Sequence, residues 1–203
     1  RVIDAHNAYY LIPRRLAEVD THPLWRLYHR READLLVRHE AQVYAQFDRV
    51  LTVTDDDRAC LEALLGPAAR DKFSTLPICV DADGPPVARA ENPRGLLLLG
   101  GLHWQPNADA ARWFAREVFP RVRAGVPDAR LLIVGARPPA DLQALDGTDG
   151  VSVTGYVADT QPYIAAIAAL VAPLRSGGGM RVKIVEAMQW GLPVIATTIG
   201  AEG

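Results

Sequence analysis

The residues from Gly177 to Glu186 read GGGMRVKIVE, and their types and spacing suit the binding of an anion. They follow ALVAPL (169–174), an apolar run that predicts a buried parallel strand. They open VKIVEAMQWG, a helical pattern with Gly191 as its C′ stop and Pro193 beyond. A strand, a glycine loop and a helix in that order aim several backbone N–H groups at one spot, at the positive end of the helix dipole. Gly178, Gly179 and Met180 would supply those amides. Arg181 and Lys183 add two cations in the first turn, where each is unfavourable by roughly 0.3–1 kcal/mol unless an anion answers it. A diphosphate is the anion expected. The alternative is an ordinary flexible loop before a surface helix. The dinucleotide fingerprint would need glycine where Val182 stands, and no GK[ST] follows, so neither a Rossmann dehydrogenase nor a P-loop is indicated.

Other chemistry-bearing residues admit two readings each. Glu186 sits within two turns of the helix start, beside Ile184, Val185, Ala187 and Met188. Its carboxylate is placed either to accept from a ribose diol or to pair with Lys183 at i, i+3. His6 follows the apolar strand VIDA at its carboxyl end. It is either a loop or core histidine or a group that hydrogen-bonds a reacting sugar or acceptor. Asp55-Asp56-Asp57 looks like a metal triplet but fits the acidic start of a helix better. His39-Glu40 lacks the second histidine of a zinc motif. From Trp25 to Gln46, arginines and histidines interleave with leucines, which suits an anionic membrane or a solvated helix face.

The elements that must position these residues alternate. Strands are expected at 2–5 and 47–54, with an extended segment at 74–81 and helices at about 23–46 and 55–65, the latter capped by Thr54 or Asp55. A Pro- and Gly-rich stretch, 81–94, reads as a linker. Beyond it, strands are expected at 95–101, 130–136, 151–156, 169–174 and 193–198. Helices are expected at 107–125, 141–145, 159–168 and 182–190. Continuous Val/Ile/Leu strands alternating with helices imply an α/β fold with a parallel sheet covered on both faces. Gly100, Gly135 and Gly155 end strands, so they and the glycine loop are expected to line one crevice at the carboxyl edge.

The whole chain sets bounds. Its 203 residues carry a net charge of −2, which argues against a nucleic-acid partner. Cys60 and Cys79 have no zinc spacing and are expected to be reduced core thiols, as in a cytoplasmic protein. No apolar run approaches a membrane span. The abrupt ends, at Arg1 and just after PVIATT, lead us to expect a piece with both ends missing.

Taken together, HN near the start, FDRVLTVTDDDRACL, LPICVD, GGLHWQPNADAARWF, LLIVG, VTGYVAD and APLRSGGGMRVKIVEAMQWGLPVIATTIGAEG resemble the retaining, GT-B-type glycosyltransferases of family 4, in a bacterial branch that assembles surface polysaccharide. The resemblance implies two Rossmann-like domains with the active site in the cleft between them, both incomplete here. Residues 1–80 would end the acceptor-side domain, 81–94 link, and 95–203 form most of the donor domain. It implies a nucleotide-sugar donor, a glycan or lipid-linked acceptor, peripheral contact with the inner face of the plasma membrane, and no metal or other cofactor. Of the family's two signature glutamates, the second matches Glu186, implied to hold the donor ribose; the first falls at Gly178. Gly101 stands where the family has an arginine of a diphosphate-binding pair, and Arg181 and Lys183 would substitute. His6 matches a histidine close to the transferred sugar. Tyr156 and Val157 lie where the family's backbone meets the base, and Gly135 lines the donor crevice. Two rivals remain: a non-catalytic nucleotide-sugar binding module, supported by the missing glutamate, and an oxidoreductase or epimerase on a Rossmann sheet.

Overall fold

The computed structural model describes residues 1–81, 87 and 90–203. They group into two compact units. The first holds Arg1–Cys79 with Arg175–Arg181 and Glu202–Gly203; the second holds Val80–Leu174 with Val182–Ala201. The glycine loop is thus grouped with the first unit, although it lies within the stretch 95–203. The expected linker at 81–94 falls partly outside the described residues.

The first unit is a three-stranded parallel sheet in the order β1 (Val2–Ala5), β2 (Arg49–Thr52), β3 (Phe73–Thr75). Between β1 and β2 lie α1 (Leu11–Val19) and α2 (Pro23–Ala45); α3 (Asp55–Leu65) follows β2. Val50, Leu61, Phe73, Tyr44 and Tyr10 are buried together in its core. Each such side chain contributes about 1.5–3 kcal/mol when fully removed from water. The extended segment expected at 74–81 pairs only as far as Thr75, with Leu76 N–H reaching Thr52 O at 2.7 Å. Pro77 then removes a ladder donor, and the strand stops. Cys79 consequently lies exposed rather than in the core, whereas Cys60 is half-buried. A helix, Leu11–Val19, also stands between the expected first strand and the expected long helix.

The second unit is a five-stranded, all-parallel sheet: β4 (Gly95–Leu99), β5 (Arg130–Val134), β6 (Val151–Gly155), β7 (Ile167–Ala172) and β8 (Val194–Ala196), in the order β6-β5-β4-β7-β8. One face packs Leu98, Leu131, Ile133 and Val153 against Phe114, Phe119 and Leu142. The other packs Leu97, Val134 and Leu170 against Ile164 and Ala187. With both faces covered, the strands read as unbroken apolar runs. The helix after β4 runs from Gln105 to Gly125 as α4 (Gln105–Trp113), one π turn (Phe114–Val118) and α5 (Phe119–Gly125). Pro120 follows the π turn as the second residue of α5, and its missing N–H removes the regular i→i−4 bond at that point. α6 (Ala140–Gln143) follows β5 and α7 (Gln161–Ile164) follows β6. α7 is shorter than the expected 159–168 because Ile167 already belongs to β7; Thr160, not Asp159, holds its N-cap position, and Asp159 accepts from Gln161 N–H at 2.9 Å just before the helix. α8 spans Val182–Gln189.

Candidate functional site

In the second unit the chain moves from β4 outward through β5 and β6, then returns past β4 to lay down β7 and β8. The strand order therefore reverses between β4 and β7. At such a switch point the loops leaving the carboxyl ends diverge and open a crevice. Gly100 and Gly101 leave β4 there, and Lys183 stands in the first turn of α8. Lys183 Nζ donates to Asn107 Oδ1 at 3.2 Å, and Asn107 Nδ2 donates to Gly101 O at 3.1 Å. A Cβ on Gly100, whose φ is +149°, would come within 2.9 Å of Asn107 Nδ2 and 3.1 Å of Lys183 Nζ. Glycine is required at this point because the ammonium and the amide pass against bare backbone.

Gly135, at the end of β5, is closed more tightly still. Its Cβ would lie 1.8 Å from Gly100 O. Gly135 N–H donates to Gly155 O at 3.1 Å, and Gly100 N–H to Val134 O at 3.0 Å, so three strand ends are drawn together at their backbones. Tyr156, next along from β6, is 78% exposed, while Val157 packs against the core beneath β7. Glu186 is half-buried on α8 and forms no ion pair among the described residues. Burial raises its carboxyl above the ordinary value. The i, i+3 pair with Lys183 that spacing alone allows is not the arrangement seen, since Lys183 turns to Asn107. The atoms nearest a Cβ on Gly101 belong to the His103 side-chain ring, at 2.8–3.7 Å.

The glycine loop belongs to the first unit, and its polar groups are engaged by that unit. Arg181 is 8% exposed and folds back on the loop, with Nη1 donating to Gly178 O and, at 2.7 Å, to Gly179 O. Desolvation lowers its pKa. Arg15 donates to Gly177 O and forms a two-pronged pair with Glu202, at 2.6 and 2.8 Å. Gly179 N–H points at Asp57 Oδ1, 3.4 Å away. Gly179 has φ of +74°, and its Cβ would fall 2.3 Å from His6 O and 2.4 Å from Asn7 Oδ1. Gly178 is freer: its Cβ would meet Asp57 Oδ1, Ala8 O and Asn7 Oδ1 at 3.5–3.7 Å, ordinary contact with three oxygen atoms. Met180 is half-buried beside it. His6 is exposed at the carboxyl end of β1, with Nε2 3.0 Å from Asp4 Oδ2. Arg181 and Lys183, two positions apart in sequence, thus serve different units.

Several residues of these sites carry no signal in the spacing of the sequence. Asp57 hides in an acidic run, yet its neighbours diverge from it: Asp55 accepts from Thr75 Oγ1 at 2.6 Å, while Asp57 is 2% exposed. Glu40, within a long amphipathic helix, is 4% exposed and accepts from Tyr9 and Tyr10 N–H at 3.0 and 2.8 Å. It caps the start of α1, and burial raises its carboxyl. Among the described residues no helix is long and apolar enough to cross a membrane.

The comparisons with known proteins agree with this architecture. HepE of Anabaena, solved with UDP-glucose, superposes with a TM-score of 0.65 at 15% identity, covering all of this chain and 54% of that one. WaaG, a glycosyltransferase involved in lipopolysaccharide biosynthesis, gives 0.64 at 20% identity over 98% of this chain and 56% of its own. TarM of S. aureus, solved with UDP, gives 0.65 at 15% identity, with 82% and 33% covered. This chain therefore spans between a third and just over half of the solved proteins it matches, and shares the GT-B fold with them. No curated protein matches. Residues 93–203 match the family model for group 1 glycosyl transferases. With more than half of its length in that match, the chain belongs to the group 1 glycosyl transferases.

Proposed function

We propose that this chain is the donor-holding part of a retaining glycosyltransferase of family 4, which moves a sugar from a nucleoside diphosphate to an acceptor hydroxyl in surface polysaccharide or glycolipid assembly. The observation that carries the reading is Lys183 Nζ beside the bare backbone of Gly100, at the point where the strand order reverses. In the transfer, the bond from the anomeric carbon to the diphosphate oxygen breaks and the diphosphate leaves with the electron pair. The acceptor oxygen bonds to that carbon on the same face, and its proton passes to the departing diphosphate. Negative charge grows on the leaving group, so a fixed ammonium and the amides opening α8 stabilise the transition state more than the bound donor. They take the part a metal ion would otherwise play. Glu186, half-buried two turns along, accepts from the ribose diol, and the backbone at Tyr156–Val157 meets the base.

The test is calorimetric titration of UDP into the complete protein. Lys183→Ala should weaken binding by about 1.5–3 kcal/mol, the scale of a hydrogen bond to a charged group. Glu186→Gln should bring the affinity for UDP down to that for 2′-deoxy-UDP. Unchanged affinity in Lys183→Ala would overturn the reading; binding without any donor turnover would favour the non-catalytic module.

The same proposal places the enzyme at the inner, cytoplasmic face of a membrane. Leu24, Trp25, Leu27 and Tyr28 are all more than half exposed on α2, with Arg26, Arg30 and Arg31 exposed among them. That pattern suits anionic lipid. Sedimentation with phosphatidylglycerol vesicles should fall several-fold in Trp25→Ala/Leu27→Ala; equal sedimentation of both proteins would remove the contact.

A further inference from the structure

We infer that Asp57 is a positioning residue for the transfer: its buried carboxylate ties the glycine loop to the segment that carries His6. Nothing in its local sequence would suggest this, because an aspartate at the third position of a helix ordinarily answers the helix dipole. Here the local demand is already met. Thr54 caps α3, accepting from Asp57 N–H at 3.0 Å, and its hydroxyl donates to Asp57 Oδ2 at 2.6 Å. The side chain is thereby fixed by one oxygen and the other, Oδ1, faces away from the helix. That oxygen receives Ala8 N–H at 2.9 Å and faces Gly179 N–H at 3.4 Å. The two amides lie 171 residues apart in sequence, and one carboxylate oxygen serves both.

What hangs on the two amides makes this more than a buried cap. Ala8 is two residues past His6, and Gly179 is the glycine whose Cα approaches His6 O too closely for any side chain. Tyr9 and Tyr10 N–H, next after Ala8, go to Glu40. Three consecutive amides, immediately after His6 and Asn7, are therefore held by two buried carboxylates. On the loop, Arg15 holds Gly177 O and Arg181 holds Gly178 O and Gly179 O, but these bonds fix the loop's carbonyls only. Asp57 is the group that meets an amide of each segment. A shift of either segment by a fraction of an ångström would displace His6, while Lys183 keeps its own contact with Asn107 within the second unit. The inference rests on the proposed glycosyl transfer for its catalytic meaning, and on geometry alone for the tie itself.

Two measurements on the complete protein separate the tie from the reaction. Hydrogen exchange should speed at least tenfold at Gly179 and at Ala8 together in Asp57→Ala, with the amides of β4 and β5 unchanged. Asp57→Asn keeps an acceptor at Oδ1 and should restore most of the protection. In UDP-glucose hydrolysis, Asp57→Ala should lower kcat at least tenfold while UDP affinity stays within twofold, and Asp57→Asn should recover part of kcat. Unchanged exchange at Gly179 would overturn the tie, whatever the enzyme does. Equal losses in kcat and UDP affinity, tracking a drop in melting temperature in both variants, would make Asp57 a stability residue and overturn the positioning role. If the wild type neither binds UDP nor hydrolyses its glucose ester, the proposed transfer fails while the exchange result still decides the tie.

Discussion

Two glycine-rich turns, one in each unit, solve opposite problems. At Gly100–Gly101 the backbone is bare so that something else can come close: Lys183 and Asn107 lie against it and their polar ends meet one another. At Gly177–Gly179 the backbone is bare so that the turn itself can press against a neighbour, and its carbonyls are claimed by Arg15 and Arg181. Glycines next to a cation leave an ammonium against bare backbone in one case and make a packed turn in the other. A guanidinium presents a planar fork that suits two carbonyl oxygens, whereas an ammonium is a compact point charge suited to a phosphate. The difference teaches that a cation beside glycines becomes informative only once its hydrogen-bond partners are known.

The comparison breaks most sharply within the loop itself. Gly179→Ala should destabilise the first unit by about 2–4 kcal/mol, combining a disfavoured positive φ with contact against His6 O. Gly178→Ala, one residue away, should change stability by less than about 0.5 kcal/mol, since its Cβ meets only ordinary contacts. Urea denaturation of the two variants checks the pair, and equal losses would show that the loop is not packed as described. A smaller effect sharpens the account of the joint from its other side. Burial raises the Glu40 carboxyl, so the folded chain holds this proton more tightly than the unfolded chain does. The stability this gives is fully present below the ordinary glutamate range near pH 4 and is lost as pH rises through the raised folded value. Glu40→Gln should flatten that part of the profile of urea midpoint against pH; an unaltered profile would mean that Glu40 is not what titrates.

The elements that do the positioning were largely legible, and the contacts that do the joining were not. Strands of the second unit announce themselves because they are buried on both faces, and their terminal glycines mark the carboxyl edge. The Thr54 cap and the acidic turn after it follow from local chemistry. What failed was where local signals mislead: Pro13 inside LIPRRLAEV disguises α1, although at the third helical position its missing N–H would have been unpaired anyway. The inward turn of Asp57 is invisible because its partner amides come from residues 8 and 179. The contacts of Arg181 with Gly178 O and Gly179 O are equally invisible, since its sequence neighbourhood shows only a cation before a helix.

The grouping of Arg175–Arg181 with Arg1–Cys79 has a consequence in time. A ribosome that has finished residue 79 must add on the order of a hundred more before the glycine loop exists, about 5–20 s at ordinary synthesis rates. Through that interval the first unit has its sheet and its helices but not its last wall, and Asp57, Ala8 and Arg15 face water where the loop will sit. The unit made first is thus among the last to be completed, and its closure is a long-range event that waits on the chain folded after it.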